Sequence, residues 1–486
     1  MIDVGILDRS AAAPLHEQLA HGIRAAVLAG RVRGGDPLPS SRALAADLGL
    51  ARGTVVSAYE ILAGEGYLVT RPGGGTAVAE VARAAVVSTA VATGSPDPVV
   101  PVPLVDLRPG RPGTTGVVEA NWRSAWRRAS ALDVNADIGD VLGDPALRRA
   151  IAGHLGRTRG LDVAPDDVIV TAGTSDAMLL TLLALAPRGP VLRVGIENPG
   201  YPRVRRVVSR LGAHAVPIPV RSGTGLDLDA VEQQDDLDAV IITPHHHYPL
   251  GSRLDAAARS RLLSWAARTA TVVIEDDYDS EFPHGRVPLP PLHLVDPAGV
   301  VLIGSFSKVL SPALRCGWIV ATGAVRARIA AAREDLDPPV ASIPQRALAL
   351  YVAEGALARH TARRRRDYRH RRRLLLDAFR GVGGLALTAT DGGLHAVVLL
   401  DDTGPGAEAE VVAALAAEGI VVAPLSGYAV PGAAADLPAG IVFGYAAPST
   451  PALMDAVDRI IAIAGALVGR GPRSASSAVP LDPDTV

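Results

Sequence analysis

One lysine occurs in 486 residues, Lys308 in the stretch GSFSKVLSPALRCGW; the other 47 of the 48 Lys and Arg residues are arginine. Arginine serves for solvation, ion pairs and phosphate contacts, but it stays protonated at working pH. Lysine can give up its proton and attack carbonyl compounds as an amine. Residue types that complement such an amine recur at intervals through the same half of the chain. Asp276 and Tyr278 close the run TVVIEDDY, two residues apart and therefore on one side of an extended chain. Gly173, Thr174 and Ser175 in VTAGTSDAM offer N–H groups and hydroxyls at a turn into a helix, where phosphate is readily bound. Arg315 can add a charge-assisted bond to the same phosphate. Tyr201 in ENPGYPR is a candidate stacking face. A lysine for a covalent link, an acid for a pyridine nitrogen, a phosphate cradle and an aromatic face are the four things pyridoxal phosphate (PLP) needs from a protein.

The elements that must position these groups follow from the pattern. Short apolar runs (DVIVTAG, PVLRVGIENPGY, AVIITP, TVVIEDDY, VVLIGSFS) alternate with helical segments such as SDAMLLTLLALA and LDAAARSRLLSWAAR. That rhythm predicts an α/β fold with a mostly parallel sheet covered on both faces. In such sheets ligand groups gather beyond the carboxyl ends of the strands, which is where Asp276 lies. After about residue 380, HAVVLLD, IVVAPL and IVFGYA with two helices predict a smaller α+β lobe.

The N-terminal segment has a different design. Leu15, Leu19, Ile23 and Val27 recur every four residues and predict an amphipathic helix. Ser40 or Ser41 can cap a short second helix carrying Leu44, Ala45 and Leu48, and Gly49 suits the turn that ends it. A third helix buries Val55, Ala58, Tyr59 and Leu62 and presents Arg52, Gly53, Thr54 and Ser57 on its other face, as a helix entering a DNA major groove requires. The RPGGGTAV stretch, with Arg71, reads as the tip of a β-wing.

The motif LPSSRALAADLGLARGTVVSAYEILAGEGY followed by RPGGGT resembles the winged helix-turn-helix of GntR-family bacterial regulators. That resemblance implies double-stranded DNA as partner, with Arg42, Arg52, Thr54, Gly73 and Gly75 as contacts; with Ser41, Ser57 of the polar helix face and Arg71 of the wing they form the expected DNA-binding set, read as two half-sites. Ala51 stands where the family often has a capping serine. From about 107 to 470 the chain resembles class I aminotransferases of fold type I. Both parts together resemble the MocR/GabR-type subfamily of GntR regulators, which RPGRPG, GDPALRRAIAGHL and RHTARRRRDYRHRR also fit. The resemblance implies PLP as cofactor, with Lys308 as the lysine it bonds. It implies Asp276 on the pyridine nitrogen, Tyr278 on the phenolic oxygen, and Gly173, Thr174, Ser175 and Arg315 around the phosphate. Tyr201 and Tyr248 join this cofactor-binding set, Tyr248 standing where transaminases place an asparagine. Arg203 is the candidate for an effector's acid group. Two further departures bear on activity: Val442 aligns with the arginine that clamps a substrate α-carboxylate, and Ile138 with a tyrosine that reaches the partner subunit's phosphate.

The expected organisation is a winged helix-turn-helix at 1–80, a linker at 81–106, an aminotransferase-like domain at 107–472 and a disordered tail at 473–486. With 48% apolar and 20% charged residues and a formal net charge of -2, DNA contact must come from a local patch rather than overall basicity. One cysteine, Cys316, excludes an internal disulfide and reads as a packed small residue. The expected location is the cytoplasm, without membrane association. HHHYPLG does not make a three-histidine metal site, because neighbours on an extended chain face opposite ways, and no metal is expected. The arginine-rich stretch 363–373 reads as a solvated helix face, with a docking or DNA-backbone surface as the sharper alternative. The expected function is a homodimeric transcriptional regulator sensing PLP, an amine or an amino acid through a PLP-bound domain. The alternative is a working aminotransferase with a DNA-binding head, which Val442 argues against.

Overall fold

The computed structural model describes residues 7–9, 13–71, 75–79, 105–133, 136–284, 289–401, 406–433 and 437–468. The expected linker up to residue 104, the wing residue Gly73 and the expected tail at 473–486 lie outside the described residues. The chain divides into two compact units, Met1–Val100 and Pro101–Val486.

In the first unit, α1 (Leu15–Leu28), α2 (Ser41–Leu48) and α3 (Arg52–Gly64) precede the antiparallel pair β1 (Leu68–Arg71) and β2 (Gly75–Val78). Ser40 caps α2, its side chain accepting from the Ala43 amide at 3.2 Å, and Gly49 ends it in the left-handed conformation. Val55, Ala58, Tyr59 and Leu62 are the buried residues of α3, as their spacing predicts. They meet Leu19, Ile23, Leu44 and Leu68 in one apolar cluster.

The second unit begins with β3 (Val105–Asp106), α4 (Ala120–Ser130), α5 (Pro145–Arg159), β4 (Val168–Thr171) and α6 (Thr174–Leu183). It continues through β5 (Arg193–Asn198), α7 (Pro202–Arg210), β6 (His214–Arg221), β7 (Gly225–Leu226), α8 (Leu228–Glu232), β8 (Ala239–Ile242) and α9 (Ala256–Thr269). Then come β9 (Val272–Asp276), α10 (Leu292–Val295), β10 (Val300–Ser305), β11 (Gly317–Val320), α11 (Gly323–Leu336), α12 (Ser342–Ala353) and α13 (Ala356–Ala378). The last stretch holds β12 (Leu385–Thr388), β13 (His395–Leu400), α14 (Ala407–Ala417), β14 (Ile420–Val421), β15 (Ala423–Pro424), β16 (Gly440–Gly444) and α15 (Thr450–Val468).

The large sheet has strand order β4-β11-β10-β9-β8-β5-β6-β7. Strands β10, β9, β8, β5 and β6 are mutually parallel; β11 runs antiparallel to both β10 and β4, so β4 shares their direction. β4, β8 and β11 are buried at every position, the mark of a sheet covered on both faces. The smaller lobe is the antiparallel sheet β12-β13-β16-β15. The segment IVVAPL is split: β14 leaves this sheet to pair with β3, so the folded unit starts at least two residues before the expected boundary at 107. Buried Cys316 sits in the core, where desolvation pushes its thiol up to about 12, as a packed residue.

Candidate functional site

Five strands deliver residues to one pocket from their carboxyl ends. Thr174 and Ser175 follow β4, Tyr201 and Arg203 follow β5, Thr243 follows β8, Asp276 ends β9, and Ser307 and Lys308 follow β10. Tyr248, Tyr278, Pro312, Arg315, Leu394, His395, Pro109 and Gly110 complete a cavity of about 160 Å³. Of the cofactor and effector residues expected from the sequence, all but Gly173 line it. Gly173 lies just behind: its φ of +89° allows the turn into α6, and a Cβ there would stand 3.6 Å from the Arg315 guanidinium. Arg315 itself adopts φ +46°, holding its side chain at the start of α6, where helix N–H groups and guanidinium converge on one anion position.

Lys308 is half-buried and donates from Nζ to the Gly110 carbonyl at 2.8 Å. Desolvation lowers its pKa, while Asp276 and Asp279 pull the other way. Asp276 is 5% exposed and its Oδ1 is buried without a partner. Desolvation pushes this carboxyl up to about 8, assisted by Asp277, Glu197 and Asp279 and opposed by Lys308. A buried carboxyl with an open lone pair, in one pocket with the only lysine of the chain, Arg315 and the start of α6, is the donor set that a protonated pyridine ring with a phosphate and an aldehyde would satisfy. The residues present fit PLP.

Sequence reasoning missed Pro109, Gly110, Thr243, Ser307 and His395. The RPGRPG motif pointed towards the first two; nothing marked His395. Thr243 donates its amide and hydroxyl to Glu197 at 3.0 and 2.7 Å, and burial pushes Glu197 up to about 7. Arg203 is exposed, lines the pocket, and has no hydrogen bond or ion pair among the described residues. Ile138 is 58% exposed and Val442 is fully buried in β16; neither lines the pocket. The three histidines lie in a bend after β8 and have separate partners: His245 meets Arg159 and Glu275, His246 meets Asp279, and His247 meets the Pro199 carbonyl. No group of metal-binding side chains occurs among the described residues, and no helix among them is long and apolar enough to cross a membrane.

The buried acids give a pH signature. Unfolded Asp and Glu ionise near pH 4 and His near 6.5. Desolvation holds His245, His247 and His395 near 3, so above about pH 7 they are mostly neutral in both states. Folded Asp276 (about 8), Glu197 and Glu275 (about 7) still bind protons there that the unfolded chain has lost. Their contribution to stability therefore falls as pH rises from 7 to 8. Lys308 acts in the opposite sense, so the informative comparison is with Asp276→Asn. In thermal melts without cofactor, this variant should lose less stability over that interval than the parent; an equal loss would contradict the placement of Asp276.

On the DNA side, Arg42 and Arg52 are exposed and Thr54 and Ser57 half-buried. Arg52 Nε lies 3.5 Å from Ser41 Oγ, which brings Ser41, Arg42 and Arg52 together at the start of α2 and α3. Arg71 closes β1 and Gly75 opens β2 with φ +82°.

The model for bacterial regulatory proteins of the gntR family matches residues 15–78, and that for class I and II aminotransferases residues 112–459. The pyridoxine biosynthesis transcriptional regulator PdxR of Corynebacterium glutamicum is 41% identical over 432 residues, covering 88% of this chain and 91% of the relative. The probable rhizopine catabolism regulatory protein MocR of Rhizobium meliloti is 32% identical over 391 residues, covering 76% of this chain and 78% of the relative. Among solved structures, an archaeal alanine:glyoxylate aminotransferase superposes with a TM-score of 0.67 at 21% identity, over 74% of this chain and 90% of that one. An aminotransferase from Mycobacterium tuberculosis superposes with a TM-score of 0.64 at 26% identity, again over 74% and 90%. A gntR-type DNA-binding unit joined in one chain to an aminotransferase-fold unit places this protein in the MocR/GabR-type subfamily of GntR transcriptional regulators.

Proposed function

We propose that the chain is a transcriptional regulator that holds PLP on Lys308 and responds to the state of that pocket, with PLP itself as the signal. One observation carries the reading: the sole lysine and Asp276, whose buried Oδ1 has no partner, line one cavity together with Arg315 and the first residues of α6. When bound, PLP supplies an electrophilic carbonyl and a ring that withdraws electrons. The chain's own part is to neutralise the phosphate with Arg315 and the α6 N–H groups, to place the Asp276 carboxylate for a ring N–H, and to offer Tyr201 against the ring face. Two further points favour PLP over an α-amino acid as signal: Val442 leaves no clamp for an α-carboxylate, and the relative that is 41% identical is named for pyridoxine biosynthesis. Exposed Arg203 is the group that would read an acidic effector.

The reading extends to a homodimer binding two half-sites of double-stranded DNA, in the cytoplasm, through Ser41, Arg42, Arg52, Thr54, Ser57, Arg71, Gly73 and Gly75. A gel-shift on the gene's own upstream region, with and without PLP, tests it. Arg42→Ala with Arg52→Ala should weaken specific binding by about 1–3 kcal/mol per lost base contact. Unchanged affinity in the double variant would reject the DNA assignment, and affinity indifferent to PLP would reject PLP as the signal.

A further inference from the structure

Behind Tyr278 lies a buried hydrogen-bonded chain that cofactor binding alone does not require. Tyr278 donates its hydroxyl proton to the His246 carbonyl at 2.9 Å, and the same hydroxyl lies 3.1 Å from His246 Nδ1. His246 Nδ1 is 2.7 Å from Asp279 Oδ2. His246 is 5% exposed and Asp279 3% exposed, and His246 Nε2 is buried with no partner.

These contacts settle the proton positions. A buried N–H without an acceptor is costlier than a buried lone pair without a donor. The imidazole proton therefore sits on Nδ1, donated to the Asp279 carboxylate. With Nδ1 protonated, the Tyr278 hydroxyl cannot donate to it, which is why its proton goes to the carbonyl of the same histidine. The backbone is shaped around this arrangement. Gly393 has φ +68°, and a Cβ there would stand 2.2 Å from Asp279 Oδ2 and 3.1 Å from His246 Nδ1. A second, wider cavity of about 550 Å³ is lined by both His246 and Asp279 but not by Tyr278.

Other titratable groups surround the chain: Asp279 acts directly on Tyr278, ahead of Tyr248 and Asp276; His395, His247 and His284 face His246; Lys308 and Tyr445 interact with Asp279, and Lys308 also acts on Asp276 and His395. The Asp279 carboxylate and the Tyr278 hydroxyl both lie within hydrogen-bond distance of Nδ1, and the carboxylate, which can only accept, decides which nitrogen carries the proton.

We propose that Asp279 and His246 are positioning residues acting through Tyr278: they fix its hydroxyl at the pocket wall and thereby set the proton affinity of the cofactor edge that Tyr278 faces. The proposal rests on the PLP reading of the pocket.

The test is a pH titration of the absorbance of full-length protein loaded with PLP, each variant first checked for cofactor mass on Lys308 after borohydride reduction. Asp279→Asn loses the carboxylate that holds the His246 proton on Nδ1, which frees Nδ1 to accept from the Tyr278 hydroxyl and turns that hydroxyl from its parent position, so the midpoint should shift by about one pH unit, a tenfold change in proton affinity. His246→Gln, whose amide reaches the Nε2 position, should shift the midpoint the same way. His246→Asn, whose amide can stand in for Nδ1–H, should keep it near the parent value. In a Tyr278→Phe background, Asp279→Asn should no longer shift it. A midpoint unmoved in Asp279→Asn overturns the proposal, as does a shift that survives intact without the Tyr278 hydroxyl, which would mean that Asp279 acts by charge alone. If Asp279→Asn fails to load, the two His246 variants decide in the same manner: equal midpoints refute the relay. A parent protein that takes up no PLP overturns the cofactor reading and the relay with it, whereas a loaded parent with unmoved variants overturns the relay alone.

Discussion

Lys308→Arg should abolish covalent PLP attachment entirely while leaving a folded protein that still binds DNA. A free lysine, with a pKa of about 10.4, is mostly protonated and attacks aldehydes poorly. The site works against that: desolvation lowers the pKa of Lys308 and favours the reactive amine. Arginine keeps the positive charge near Asp276 and can reach the Gly110 carbonyl, so the fold loses little, but it cannot form the covalent link. The visible absorption of the attached cofactor should vanish. Because Lys308 is the only lysine, the only other primary amine is that of the chain's N-terminus. Borohydride reduction of the loaded parent should therefore place the added mass on the peptide containing SFSKVLSPALR. Reduced parent protein without that mass, under saturating PLP, would refute the assignment of Lys308.

Turnover with common α-amino acids should be negligible even in the loaded protein. Val442 is fully buried in β16 and packs with Val397, Leu425, Tyr248 and Tyr428. The two tyrosine hydroxyls lie 3.1 Å apart, and of the two only Tyr248 lines the pocket. Losing one preorganised electrostatic contact, such as a carboxylate clamp, lowers rates by roughly 10²–10³-fold. A coupled assay for keto-acid formation should give steady-state rates well under the about 1–10³ per second of ordinary enzymes. Rates inside that range would favour the reading of a transaminase with an accessory DNA-binding head.

Much of this site is legible in the sequence because it depends on local geometry. The apolar run of β9 ends in acids, so Asp276 and Tyr278 reach one side of the sheet edge while Asp277 turns away to Arg159. In α3 the spacing of Val55, Ala58, Tyr59 and Leu62 alone separates core from DNA face. What escaped depends on how distant segments fold back. The Gly110 carbonyl meets Lys308 across 198 residues, and His246 meets Asp279 across 33; no periodicity encodes either. The short strands β3, β12 and β14 have two to four residues each, too few for an alternating pattern to show. The arginines of 363–373 are only partly the solvated face their density suggests: Arg371 is buried on the carbonyls of Tyr445, Ala446 and Pro448, and Arg363, Arg364 and Arg365 pair with Glu119, Asp367 and Glu281.

The packing around Val442 also bears on descent. An arginine introduced there would bury a guanidinium among Val397, Leu425, Tyr248 and Tyr428, a strongly destabilising placement. On the sensor reading, restoring a clamp at 442 therefore takes more than that one substitution: the cluster around it has to be repacked with it.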